Sequence, residues 1–173
     1  AGVAALHIED QESPKRCGFL VGKRVIPRDE MVLKIKAAVA ARSDPALVII
    51  GRSDAIQPNG WDDAMDRARA YREAGADLVF TDGLKTREMV ERAARDLAGI
   101  PQLVCTWLLS AEEARAMEFA VYIHLGVMLR HFADFAETLR ELRTSGQVTP
   151  LVRSSRSVSA KSAKCRSITP RWM

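Results

Sequence analysis

Five short apolar runs alternate strictly with five segments of helical period along this chain, and that order leaves few folds open. The runs lie at 3–8, 46–50, 77–80, 102–105 and 119–123. Ala46, Leu47, Val48, Ile49 and Ile50 show no polar alternation, the pattern of a strand covered on both faces. Between the runs, Met31, Val32, Ile35, Ala38 and Val39 recur at helical spacing after Pro27, with Asp29 and Glu30 placed to suit a helix N-terminus. Further helices are predicted at 61–74, where Gly75 supplies the C-terminal glycine, and at 86–97, 111–117 and 127–143.

Strict β/α alternation with short connections calls for a parallel sheet joined by right-handed crossovers. An open doubly wound sheet would carry a Gly-rich phosphate turn after a strand, and none of the five runs is followed by one. Each run instead ends in a polar or reactive residue: Glu9, Arg52, Asp82, Cys105 and His124. A barrel gathers such ends around one mouth. The expected fold is α/β, a (β/α)8 TIM-type barrel of which about the last five β/α units are present, closed by a long C-terminal helix. About three strands are expected ahead of Ala1, so that this piece would expose an unpaired sheet edge and the inner sheet face.

The net charge of +4 does not favour a nucleic-acid surface, because it resides at one end. Residues 151–173 hold Arg153, Arg156, Lys161, Lys164, Arg166 and Arg171 and no acid, so the other 20 bases face all 22 acids in residues 1–150. The expected organisation is a partial barrel at 1–150 and a basic disordered tail at 151–173, the tail being too poor in large apolar residues to offset its ordering entropy. No apolar run approaches the length of a membrane span, and the N-terminus lacks the order of a signal peptide. A cytoplasmic location is expected, with no membrane or nucleic-acid partner. Cys17, Cys105 and Cys165 are odd in number and widely spaced, which argues against a disulfide framework or a zinc site.

The chemistry concentrates near the start. His7, Ile8, Glu9, Asp10 and Gln11 place carboxylates at a strand end, and Lys15, Arg16, Cys17 and Gly18 follow on a turn-rich segment. Two cations beside a thiol favour thiolate character and exposure.

These two motifs, with Pro14 before the second, Ile49-Ile50-Gly51-Arg52-Ser53-Asp54-Ala55, Arg67-Ala68-Arg69-Ala70-Tyr71 and Glu73-Ala74-Gly75-Ala76-Asp77, resemble the isocitrate lyase and phosphoenolpyruvate mutase superfamily, its methylisocitrate-lyase-like members above all. The resemblance covers roughly residues 1–148. It implies a (β/α)8 barrel with a swapped final helix, assembled as a homotetramer or homodimer when full length. It also implies Mg²⁺, for which Mn²⁺ can stand in, and a small-molecule carboxylate substrate. On this reading the chain is a Mg²⁺-dependent carbon–carbon lyase of a 2-hydroxy di- or tricarboxylate, releasing pyruvate or a related oxoacid.

The resemblance also assigns roles. Cys17 is the catalytic acid that protonates the departing carbanion, and Arg52 grips the substrate carboxylate, a task suited to a planar fork of donors. Glu9 is a carboxylate of the metal site, His7 supports the site, and Lys15, Arg16, Gly18, Asp82 and Cys105 belong to the substrate-binding set. Three departures stand beside these matches. Phe19 replaces a common histidine, Cys105 falls where a substrate-contacting Asn is usual, and Glu118 occupies a position that often holds glycine. The principal metal-binding aspartates of the superfamily are expected upstream of Ala1. Oxaloacetate decarboxylation, a phosphonate-forming mutase reaction and a catalytically silent fragment that at most self-associates through 127–143 are the alternatives.

Overall fold

The computed structural model describes residues 2–18 and 20–147. Phe19 and the basic tail at 151–173, with Cys165, lie outside the described residues. The elements run β1 (Ala5–Glu9), α1 (Arg28–Ala41), β2 (Val48–Ser53), α2 (Ile56–Asn59), α3 (Trp61–Glu73), β3 (Leu78–Thr81), α4 (Arg87–Asp96), β4 (Gln102–Thr106), α5 (Ala111–Ala116), β5 (Val121–His124) and α6 (Gly126–Ser145). The chain divides into two compact units, Ala1–Arg130 and His131–Met173, and α6 runs from the first into the second.

All strand pairings in the sheet are parallel, and the spatial order β1-β2-β3-β4-β5 repeats the chain order. A doubly wound sheet reverses direction at a switch point, whereas a sheet that always advances the same way is the wall of a barrel. The first unit is thus a five-stranded half-barrel, as the alternation in the sequence requires.

Each β/α unit forms for local reasons. Thr86 caps α4 by accepting from the Met89 amide at 3.3 Å, and Ser110 and Glu113 make a reciprocal capping box on α5. Helix α3 ends in a Schellman turn: Gly75, at φ +104°, donates to Arg72 at 3.0 Å, and Ala76 donates to Tyr71 at 3.1 Å. The same turn ends α5, where Glu118 donates to Arg115 at 3.0 Å and Phe119 to Ala114 at 3.1 Å. There the left-handed residue is Glu118, at φ +61°.

Two differences from the predicted elements have clear causes. Phe119 is spent on the α5 turn, so β5 starts at Val121. Strand β2 extends to Ser53 because Gly51, Arg52 and Ser53 pair with Val79, Phe80 and Thr81. The single turn α2 was not foreseen, since four residues carry no period.

Packing separates the two sheet faces. Val79 joins Met31, Ile35, Met65, Tyr71 and Leu97 in the core beneath α1 and α3, while Val104 packs with Val90, Leu109 and Ala114 beneath α4 and α5. On the face that would line a barrel, Ile50, Phe80 and Leu103 form a separate apolar layer with Val48, Leu78 and Cys105.

Candidate active site

Register decides which strand-end residues meet. Glu9 lies beside Arg52, Arg52 beside Phe80, and Phe80 beside Leu103. Side chains alternate faces with period two, so Glu9, Arg52, Asp82 and Cys105 rise from the inner layer as one row. His124 pairs with Thr106, one position out of phase, and takes the other face. The mouth therefore gathers four of the five strand-end residues.

Arg52 is the centre of that row. Its Nη2 donates to Asp82 Oδ2 at 2.7 Å and lies 3.3 Å from both Asp54 oxygens, and its Nε stands 3.4 Å from Glu9 Oε1. The guanidinium rests over the Phe80 ring, 5.0 Å from its centroid. His7, on the same face, stacks on Phe80 at 6.1 Å. Desolvation, then the charges of Arg52 and Lys15, lower the His7 pKa, which favours the neutral ring.

The cysteine loop folds onto this row. Gln11 donates to Asp54 Oδ2 and to the Arg16 carbonyl, each at 3.0 Å, and to Glu9 Oε1 at 3.2 Å. Its own side-chain oxygen accepts from the Arg16 amide, and Lys15 pairs with Glu9. Gly18 comes so close that a Cβ added there would lie 1.9 Å from Asp82 Oδ2 and 3.2 Å from Arg52 Nη2. Cys17, the neighbour of Gly18, is exposed, as are Lys15 and Arg16. A cavity of about 220 Å³ opens beside this contact, lined by Gly18, Asp82, Leu84, Cys105, Thr106 and Trp107 among others. Burial, helped by Asp82, pushes the Cys105 thiol up.

Three carboxylates face three cations here, and they divide the ionisation unequally. Burial raises the pKa of Asp54, but its hydrogen bonds with Glu9, Asp82 and Gln11 and the charge of Arg52 outweigh that and hold it well below the ordinary range. Burial first, and then Asp54, raise Glu9 and Asp82. Of the three, Asp54 is the one whose anionic form the surroundings favour.

Sequence reasoning did not assign Asp54, Gln11, Lys23 or Asp10 to the site. Its place two residues after Arg52, inside the family-like motif at 49–55, is the signal for Asp54 in the sequence. Asp10 is wholly buried: its carboxylate accepts from Tyr71 Oη at 2.7 Å, Ser53 Oγ at 2.8 Å and the Asp54 amide at 2.9 Å, with Arg67 Nη1 at 3.4 Å. It welds the end of β1 to the end of β2 from below.

As donors, Glu9, Asp54 and Asp82 have the hard oxygens that Mg²⁺ takes. Each is instead neutralised by Arg52, Lys15 or Lys23, and among the described residues no group of three His, Cys, Asp or Glu is arranged to hold a metal. The described residues do not by themselves form a metal centre.

Comparison with known proteins agrees with the fold. The chain is 42% identical over 130 residues to 2-methylisocitrate lyase of Salmonella typhimurium (strain LT2), covering 72% of this chain and 44% of that protein. It superposes on oxaloacetate acetylhydrolase in complex with 3,3-difluorooxalacetate with a TM-score of 0.74 at 39% identity, over 86% of this chain and 53% of the other. For 2,3-dimethylmalate lyase, a PEP mutase/isocitrate lyase superfamily member, the TM-score is 0.73 at 38% identity, over 88% and 53%. Phosphonopyruvate hydrolase, in complex with oxalate and Mg²⁺, gives 0.66 at 25%, over 92% and 55%. The chain spans about half the length of the curated relatives it matches. A family model described as phosphoenolpyruvate phosphomutase matches residues 1–143. With its singly wound half-barrel and its strand-end row around Arg52, this chain belongs to the phosphoenolpyruvate phosphomutase family, within the PEP mutase/isocitrate lyase superfamily.

Proposed function

We propose that the chain carries the carboxylate-gripping and proton-donating side of a carbon–carbon lyase acting on a 2-hydroxy di- or tricarboxylate and releasing pyruvate or a related oxoacid. One observation supports this reading: the turn residue Gly18, next to Cys17 in the chain, presses against the Arg52–Asp82 pair. When such a substrate cleaves, the hydroxyl gives its proton to solvent water and becomes a carbonyl. The electrons of the broken C–C bond pass to the departing carbon, which takes a proton. Arg52 offers a fork of donors to a substrate carboxylate, and Cys17 supplies the proton and is reprotonated from solvent. Likeness to 2-methylisocitrate lyase favours a methyl-bearing tricarboxylate as the substrate. Oxaloacetate is the second reading, favoured by the likeness to oxaloacetate acetylhydrolase.

Mg²⁺ belongs to the proposal through the family alone. A cytoplasmic site of action is proposed with it; no helix among the described residues is long and apolar enough to cross a membrane. A homodimer or homotetramer is proposed through α6, whose Val127, Phe132, Phe135 and Leu139 are exposed.

The test uses the full-length protein, assayed with methylisocitrate, dimethylmalate and oxaloacetate in the presence of Mg²⁺. Replacing Cys17 with Ser lowers kcat by about 10²-fold or more, the usual share of general acid catalysis. Undiminished turnover would remove Cys17 from the mechanism, and activity confined to oxaloacetate would select the second reading.

A further inference from the structure

Lys23 is the only buried lysine among the described residues, its side chain just 1% exposed. An ammonium leaves water only at a large cost unless charge and hydrogen bonds replace its hydration. Two groups do so. Lys23 Nζ stands 3.2 Å from Asp54 Oδ1 and donates to the Gly18 carbonyl at 2.8 Å. The first partner follows β2 and also faces Arg52, while the second belongs to the turn that carries Cys17. A residue so enclosed reaches neither solvent nor substrate.

The backbone explains why this one side chain can hold the turn. At its base the loop is closed by the antiparallel bridge of Gln11 with Val25, by Glu12 donating to the Arg24 carbonyl at 2.9 Å and by Ile26 donating to the Asp10 carbonyl at 2.8 Å. Lys23 therefore projects from a fixed limb. Towards the tip, Leu20, Val21 and Gly22 are exposed, and Leu20 donates only to the Cys17 carbonyl, within the turn itself.

We propose that Lys23 is a positioning residue: its buried ammonium pins the Gly18 carbonyl to Asp54 and so fixes Cys17 beside the Arg52–Asp82 pair. The kinetic consequence rests on the reading of Cys17 as proton donor, whereas the structural consequence does not. Without the ammonium, the Gly18 carbonyl loses its donor and Asp54 loses one of its cations, and the tip of the turn about Gly18 is released while Gln11 and Lys15 still hold its start.

Hydrogen exchange and steady-state kinetics on the full-length protein test this with K23A and K23R. In K23A the hydrogen-bonded Leu20 amide within residues 13–22 exchanges about 10-fold faster or more, while the amides of β2 and α3 keep their protection, since release is local. In the same variant kcat falls about 10²-fold, as small misplacements of a reacting group do, and KM moves by less than about 3-fold because Arg52 stays in place. Added ethylammonium restores part of both, and K23R, which keeps a cation, retains protection at Leu20. Wild-type exchange at Leu20 in K23A, exchange that rises equally everywhere, or a folded K23R as open as K23A would each overturn the assignment. If C17S keeps full turnover, the reading of Cys17 fails on its own, and the exchange at Leu20 still decides the role of Lys23.

Discussion

The hydroxyl of Tyr71, on α3, donates 2.7 Å to the buried carboxylate of Asp10 at the end of β1. Burial, and then the charge of Asp10, raise the tyrosine pKa, so the phenol stays protonated and a donor throughout the working range. Tyr71→Phe leaves that carboxylate with Ser53, the Asp54 amide and Arg67 alone. The expected cost is about 1–3 kcal/mol, the penalty for a buried acceptor that loses a partner. Urea denaturation of the two proteins measures it, and coincident midpoints would show that the network does not need the hydroxyl.

Gly18→Ala puts a methyl group where a Cβ would meet Asp82 Oδ2 at 1.9 Å. Either Asp82 swings away and breaks its 2.7 Å bond to Arg52, or the turn lifts and carries Cys17 with it. Turnover in the full-length protein is expected to fall by about 10²-fold, with little change in the melting temperature because the turn lies at the surface. A variant as active as the parent would mean that the mouth tolerates an open turn.

Asp54→Asn exchanges one acceptor oxygen for an NH2 donor and removes the charge that helps raise Glu9 and Asp82, so both should titrate lower in the variant. The linkage signs follow from the directions. Ionised Asp54 contributes stability that is present above the ordinary carboxylate range and lost as pH falls through its depressed value. Glu9 and Asp82 contribute in the opposite sense, fully below the ordinary range and less as pH rises through their raised values. Carboxyl carbon NMR titrations of the parent and the variant read these shifts, and unchanged midpoints would separate the three groups.

Glu118→Gly should stabilise the chain. A non-glycine residue at φ +61° pays roughly 1–2 kcal/mol for its Cβ, part of which glycine gives back in the unfolded state. A net gain of about 0.5–1 kcal/mol is expected, visible as a higher melting temperature. Destabilisation would show that the glutamate side chain contributes more than the turn costs it.

Phe132 and Phe135 on α6 are 64% and 61% exposed, and Val127, Leu139 and Leu142 are exposed with them. An exposed apolar row such as Phe132, Phe135, Leu139 and Leu142 is what the proposed self-association would cover. On the proposed self-association through α6, replacing both phenylalanines with Glu yields monomer in sedimentation velocity, and an unchanged sedimentation coefficient would remove α6 from that proposal.

The β/α order was legible from residue patterns because apolar runs and helical periods are local properties of the chain. The barrel topology followed from them, since short crossovers of one hand leave a singly wound sheet few alternatives. Period two then carries Glu9, Arg52, Asp82 and Cys105 onto one face, and a one-position offset in pairing removes His124 from it. The contacts that complete the mouth had no such trace. Gln11 meets Asp54 from 43 positions away, Lys23 meets it from 31, and Tyr71 reaches Asp10 from 61. The sequence by itself determined the alternating units, the family and the reactive strand ends, because these depend on spacing along the chain. Only the tertiary structure decided that the anionic form of Asp54 is favoured and that Lys23 is buried beneath the Cys17 turn, because charge, burial and partners there come from segments that meet only on folding.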